Sequence, residues 1–206
     1  MQNLLRIINE VLGKISVLFK KYGIKSLTMD DIAHELCISK KTLYQYFNNK
    51  SDVIEKFARF ELKSELDQLK NIYQSQSNPI EQFLTINRYL TDNLRNFNPS
   101  LNYDLNKYYP NLWNELSIQR KSQIILIIKQ NLHTGVEQGL YLKSINPDII
   151  SSLYMMGLEA KVFELYFNEF KENFDEISDT LLIYYIRGIA TDIGIKYLQD
   201  KIKFIK

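Results

Sequence analysis

Residues 28–50, TMDDIAHELCISKKTLYQYFNNK, read as two short helices joined by a tight turn, the second opening on two lysines. Thr28 is a good N-cap before Met29, Asp30 and Asp31, and the two aspartates complement the positive end of the helix dipole. Leu27 ahead of the cap and Ile32 at the fourth helical position form a hydrophobic staple. Ile32, Ala33 and Leu36 then share one face at helical spacing. The pattern restarts at once: Ser39 caps a second helix, and Ile38 with Leu43 repeats the staple. Leu43 and Phe47 face inward, which leaves Lys40, Lys41, Thr42, Gln45 and Tyr46 on the outer surface and Tyr44 near its edge. This is the layout of a helix-turn-helix, whose second helix lies in the DNA major groove. Taken alone, it also fits a helical hairpin with a solvated basic end.

The charge distribution bears on that choice. Residues 1–50 carry eight Lys/Arg against four Asp/Glu, a net of +4, whereas 51–206 carry eighteen against twenty, a net of −2. The chain total of +2 therefore conceals a positive excess where the second short helix sits. Lysines, a threonine, a glutamine and tyrosines on one face can bond to phosphates and base edges together.

The longer run LTMDDIAHELCISKKTLYQYFNNKSDVI resembles the N-terminal domain of the TetR family of bacterial regulators. In that family a first helix, a helix-turn-helix, a Thr-Leu-Tyr-x-x-Phe-like core and a following lysine recur together. The first helix here spans about Asn3–Tyr22, with Leu4, Leu5, Ile8, Val11, Leu12, Ile15, Leu18 and Phe19 inward and Gly23 as its C′ residue. The resemblance implies that Lys40, Lys41, Thr42 and Gln45 approach base edges. It implies phosphate contacts for Ser39, Tyr44, Tyr46 and Lys50, and for Thr28 from the start of the preceding helix. Packing against the first helix is the alternative for Tyr44, and a solvated loop is the alternative for Lys50. One position departs from the family: glycine is usual at the first turn residue, where φ is positive, and this chain has Cys37. A non-glycine residue there costs about 1 kcal/mol, so a slightly strained or differently shaped turn is expected.

Cys37 is the only cysteine, so no intrachain disulfide can form and the chain suits a reducing cytoplasm. Met1–Tyr22 is amphipathic, with charges at Arg6, Glu10 and Lys14, so no secretory signal is expected. The longest aliphatic run, Ile124–Ile128, is too short to cross a bilayer. No Ser/His/Asp set, HExxH, P-loop or glycine-rich phosphate cradle is present, so an enzyme is not expected. No cofactor is implied; His34 and His133, far apart in sequence, offer little acid/base chemistry, and His133 has no metal-ligating partner at recognisable spacing, so no metal site is expected.

Beyond residue 50 the chain reads as all-α. Ser51 is expected to cap a helix to about Tyr73, with further helices near 80–97, 101–108, 110–138, 147–171 and 175–203. The expected organisation is an N-terminal three-helix helix-turn-helix DNA-binding domain, 1–50, followed by a larger helical effector-binding and dimerisation domain, 51–206. Aromatics are dense between 89 and 113. The family's body holds a ligand cavity, for which Tyr89, Trp113, His133, Met155 and Phe163 are candidate lining; core packing is the alternative for the same residues. The two last helices are apolar around more than one stripe, and Gly157, Gly188 and Gly194 within them point to close helix contact. A second subunit is expected to cover them, as the resemblance also implies. The function so implied is a homodimeric repressor on a palindromic operator in double-stranded DNA, released by a hydrophobic or aromatic small-molecule effector. The alternative is a helical DNA-binding or protein-interaction module without such a ligand.

Overall fold

A computed structural model describes residues 2–95, 99–158 and 174–202. Ten helices appear among them: α1 (Gln2–Tyr22), α2 (Met29–Glu35), α3 (Lys40–Tyr46), α4 (Lys50–Ser75), α5 (Pro79–Arg95), α6 (Pro99–Tyr108), α7 (Pro110–Glu137), α8 (Pro147–Leu158), α9 (Phe174–Ile189) and α10 (Asp192–Ile202). The fold is all-α, and an isolated bridge between Tyr141 and Ala190 is the one β contact among the described residues. The chain forms two compact units, Met1–Leu66 with Phe97–Arg120, and Asp67–Asn96 with Lys121–Lys206. No described helix is long and apolar enough to cross a membrane.

The local signals explain most boundaries. Gly23 takes φ +82 and donates its N–H to Phe19 O at 2.9 Å, which ends α1 as expected. Asn78 and Asn146 each precede a proline at the first helical position and cap α5 and α8 through their side-chain oxygens. Two expectations change. The cap of α4 is Asn49 rather than Ser51: Asn49 Oδ1 accepts from Asp52 N–H at 2.9 Å. The expected helix 175–203 is two helices, because Thr191 caps a new one. Its hydroxyl donates to Gly139 O at 2.7 Å and accepts from Gly194 N–H at 3.2 Å, while its own N–H reaches Leu140 O at 3.0 Å.

In the first unit, Leu12, Ile15 and Phe19 of α1, Ile32 and Ala33 of α2, Leu43 of α3 with Phe47 just beyond it, and Val53, Ile54 and Phe57 of α4 form one buried cluster. Phe19 and Phe57 meet edge-on at 5.0 Å. Leu101 and Leu105 of α6 complete the cluster, and Leu112, Trp113 and Leu116 of α7 pack against it. The ion pairs Arg59–Glu115 and Arg120–Glu65 fasten α4 to α7.

In the second unit, Phe83 lies 5.2 Å from the stacked ring of Tyr185 and 4.8 Å from that of Tyr154. Asn87 accepts from the Tyr154 hydroxyl and donates to Ser178, which also bonds to Thr91. Burial pushes the Tyr154 and Tyr185 phenols far above their usual range, so both stay neutral donors. Of the three glycines expected at close contacts, Gly194 alone meets one, with Leu140 O, 2.2 Å from where a Cβ would stand; Gly157 and Gly188 face open space. Gly135 supplies a second close approach, since a Cβ there would fall 2.0 Å from the ring of the buried Tyr141. Gly135→Ala should therefore cost about 1–3 kcal/mol by overpacking, read as a lowered thermal midpoint, whereas Gly13→Ala, in open space on α1, should not lower it. A Gly135→Ala midpoint equal to wild type would contradict this packing.

Candidate nucleic-acid interface

Each helix of the 28–50 segment is locked at its start by its own side chains. Thr28 Oγ1 accepts from Asp31 N–H at 3.1 Å, and the Asp31 carboxylate receives the Thr28 N–H at 2.8 Å and its hydroxyl proton at 2.7 Å. This capping box satisfies donors that a helix start leaves orphaned. The same bonds hold the Asp31 carboxyl below its usual range. Ser39 Oγ accepts from Thr42 N–H at 3.0 Å and lies 2.7 Å from the Thr42 hydroxyl. Both caps stand where the sequence places them.

The turn between the helices keeps its left-handed residue without glycine. Cys37 has φ 55, its N–H reaches His34 O at 2.9 Å, and Ile38 N–H reaches Ala33 O at 3.0 Å. These two bonds make a Schellman motif, with Ile38 folded back onto the core. The cysteine therefore changes the cost of the turn and not its shape.

With Leu43 and Phe47 buried, α3 turns Lys41 and Gln45 away from the core. Both are exposed and neither makes a hydrogen bond or ion pair with a described residue. Lys40 differs: its ammonium sits 2.7 Å and 3.0 Å from the two carboxylate oxygens of Asp30, and that partner raises its pKa. The pair is solvent-exposed and contributes little stability, so it yields readily to a competing anion. Tyr44 is 43% exposed. Tyr46 was expected on the outer surface and is instead half-buried against the core, edge-on to Phe47 at 6.5 Å; it lies only one residue from the inward-facing Phe47 and shares its flank. Thr42 is half-buried. Lys50 donates to Lys25 O at 3.2 Å, and partial burial lowers its pKa against the opposing fields of Asp31 and Asp104.

Of the five candidates for a ligand cavity, four lie among the described residues, one in the first unit and three in the second. Trp113 packs on the first unit's core. Tyr89, His133 and Met155 belong to the second unit, where Met155 is buried, Tyr89 half-buried and His133 exposed. Phe163 lies outside the described residues. Sequence reading also missed the part that α6 and the start of α7 play beside the short helices. The Leu101/Leu105 spacing signals a buried face, but no local pattern says against which partner.

Residues 14–57 match the profile of bacterial regulatory proteins of the tetR family. The chain is 25% identical over 184 residues to the uncharacterized HTH-type transcriptional regulator YvaF of Bacillus subtilis (strain 168), covering 88% of this chain and 95% of that protein. A solved transcriptional regulator from Cytophaga hutchinsonii ATCC 33406 shares the fold at TM-score 0.73, with 19% identity over 91% of this chain and 98% of its own. AibR, solved in complex with isovaleryl coenzyme A and operator DNA, is similar at TM-score 0.56 and 14% identity, over 85% of this chain and 95% of its own.

The turn geometry is open to test through Cys37. Valine at that position, branched at Cβ and strained at positive φ, should destabilise the protein by about 1–2 kcal/mol. Asparagine, which tolerates the left-handed region, should leave the denaturation midpoint close to wild type. Indistinguishable midpoints for the two variants would contradict the left-handed turn.

Proposed function

Because this chain is a TetR-family transcriptional regulator, a DNA-binding protein rather than an enzyme, we propose that it acts in the cytoplasm as a homodimeric repressor on a palindromic operator. In this reading residues 1–50 are the DNA-binding domain and 51–206 the effector-binding and dimerisation domain. Lys40, Lys41, Thr42 and Gln45 face base edges, and Thr28, Ser39, Tyr44, Tyr46 and Lys50 face phosphates. The observation that carries it is the outer face of α3, where Lys41 and Gln45 are exposed and uncommitted on a helix fixed at its N-terminus. Lysine donates to guanine O6 or N7, and glutamine pairs with adenine N6 and N7.

Support for the dimer comes from the second unit. Ile149, Leu153 and Met156 form an exposed apolar stripe at i, i+4 and i+7 along α8, and Leu181 with Tyr184 forms another on α9. Gly157 and Gly188, open to solvent, lie beside these stripes and would let a partner helix approach closely. A dimer sets two recognition helices in a fixed relation, about 34–36 Å apart when the half-sites lie one DNA turn from each other.

An effector that binds better to a different head separation shifts the population and releases DNA. The effector in this reading is a hydrophobic or aromatic small molecule, and the coenzyme A thioester bound to AibR supports a ligand-responsive reading. A second reading, in which this unit serves dimerisation alone, is favoured by the way Asn87, Thr91, Tyr154 and Ser178 satisfy one another. Release of bound DNA by a compound from a metabolite screen separates the two.

Replacing Lys41 and Gln45 by alanine should reduce discrimination between a duplex selected from a random library and a scrambled duplex by at least 10-fold, since each good base contact contributes about 1–3 kcal/mol. Nonspecific binding should survive. Unchanged discrimination would remove α3 as the reader. Separately, Leu153→Asp with Tyr184→Asp should convert a dimer into a monomer by light scattering and weaken binding to the selected duplex; a wild-type mass equal to one chain would exclude the dimer outright.

A further inference from the structure

Outside the helix-turn-helix, the first unit presents a second group of cations that carboxylates do not neutralise. Lys25, in the α1–α2 connection, donates to the Tyr108 hydroxyl at 2.7 Å and stands 3.9 Å from that ring's centroid. Lys107 donates to the Tyr103 hydroxyl at 2.9 Å and lies 5.5 Å from the Tyr108 ring. Elsewhere in this unit Lys20, Lys40, Lys56, Arg59 and Arg120 are each paired with a carboxylate. Neither Lys25 nor Lys107 forms an ion pair with a carboxylate among the described residues. Asp104, on the same helix as Lys107, acts instead on Lys50.

The chemistry of the cluster is one-sided. An ammonium that gives one proton to a phenol oxygen keeps two, and a phenol oxygen that accepts keeps its own proton to donate. Tyr103 is 60% and Tyr108 42% exposed, so these donors face water. Positive charge with several outward donors complements a phosphate oxygen.

Its position follows from Lys25, three residues before the Thr28 cap of α2, whose ammonium binds Tyr108. Lys50 in turn reaches the carbonyl of Lys25. The cluster thus adjoins the end of the unit where the short helices begin and end.

We propose that Lys25, Tyr103, Lys107 and Tyr108 form a second phosphate-binding surface, which engages the DNA backbone flanking the half-site read by α3. This rests on the DNA-reading assignment above. The test uses the full chain and two 30-base-pair duplexes, one selected from a random library and one scrambled, titrated across salt concentrations. Lys25→Gln with Lys107→Gln should lower the salt slope of log K by about 0.9 per lost contact on both duplexes and leave their affinity ratio unchanged. Tyr103→Phe with Tyr108→Phe should weaken binding several-fold with no change in slope. Lys63→Gln, an exposed charge loss further along α4, should leave the slope as it is. Trimming the flanks should erase the difference between wild type and the double lysine variant. If that variant matches wild type on long duplexes while Lys41→Ala/Gln45→Ala loses discrimination, the second surface is refuted and the reader stands. If wild type itself does not discriminate between the duplexes, the reader fails first.

Discussion

Helices of seven residues do not persist alone in water, because one or two turns of hydrogen bonds do not repay the ordering of the chain. Both α2 and α3 have that length. They exist because Ile32, Ala33, Leu43 and Phe47 are buried against α1 and α4, and because each start is satisfied by its own cap. Everything expected of α3 as a reader depends on this burial. A side chain that is to meet a base edge needs a backbone that does not move, and Leu43 is buried completely so that Lys41 and Gln45 can be left free.

Capping and charge pull in the same direction on this surface. Asp30 and Asp31 favour the start of α2 through its dipole, and Asp31 is consumed by the capping box. Asp30 remains at the rim and holds Lys40. The cations named for the first unit therefore divide into those already paired, those loosely paired at the surface, and those bound only to tyrosines, to a backbone carbonyl or to nothing. Only the last two kinds can give up their present partner to phosphate without leaving a buried charge uncompensated.

The head was legible in the sequence because its determinants are local. Caps, staples, the C′ glycine and the positive-φ turn residue each occupy a few consecutive positions, and Thr28, Ser39, Gly23 and Cys37 all sit as read. What could not be read was non-local. Thr191 interrupts an otherwise continuous apolar run because Gly139 and Leu140, fifty residues earlier, supply acceptors for it. Gly135 is required by the ring of Tyr141, and within the 89–113 stretch Tyr109 and Trp113 pack on the core while Tyr103 and Tyr108 stay exposed, a difference composition does not show. Tyr46 shows the limit at closer range: a helical wheel places a residue beside a face, but the neighbouring helix decides whether that flank is covered.

The buried cluster of the first unit is not closed by α1 to α4 alone. Leu101 and Leu105 are buried in it, and Leu112, Trp113 and Leu116 pack on it, while two arginine–glutamate pairs fix the height of α7 along α4. Close-packed interiors transmit displacement rather than absorb it. A shift of α6 or of the first turns of α7 must therefore be met either by a cavity beside Phe57 and Leu105 or by movement of the short helices themselves. The residues that orient the reader thus include some that lie sixty positions beyond it, and the unit that moves as one body is larger than the motif that reads.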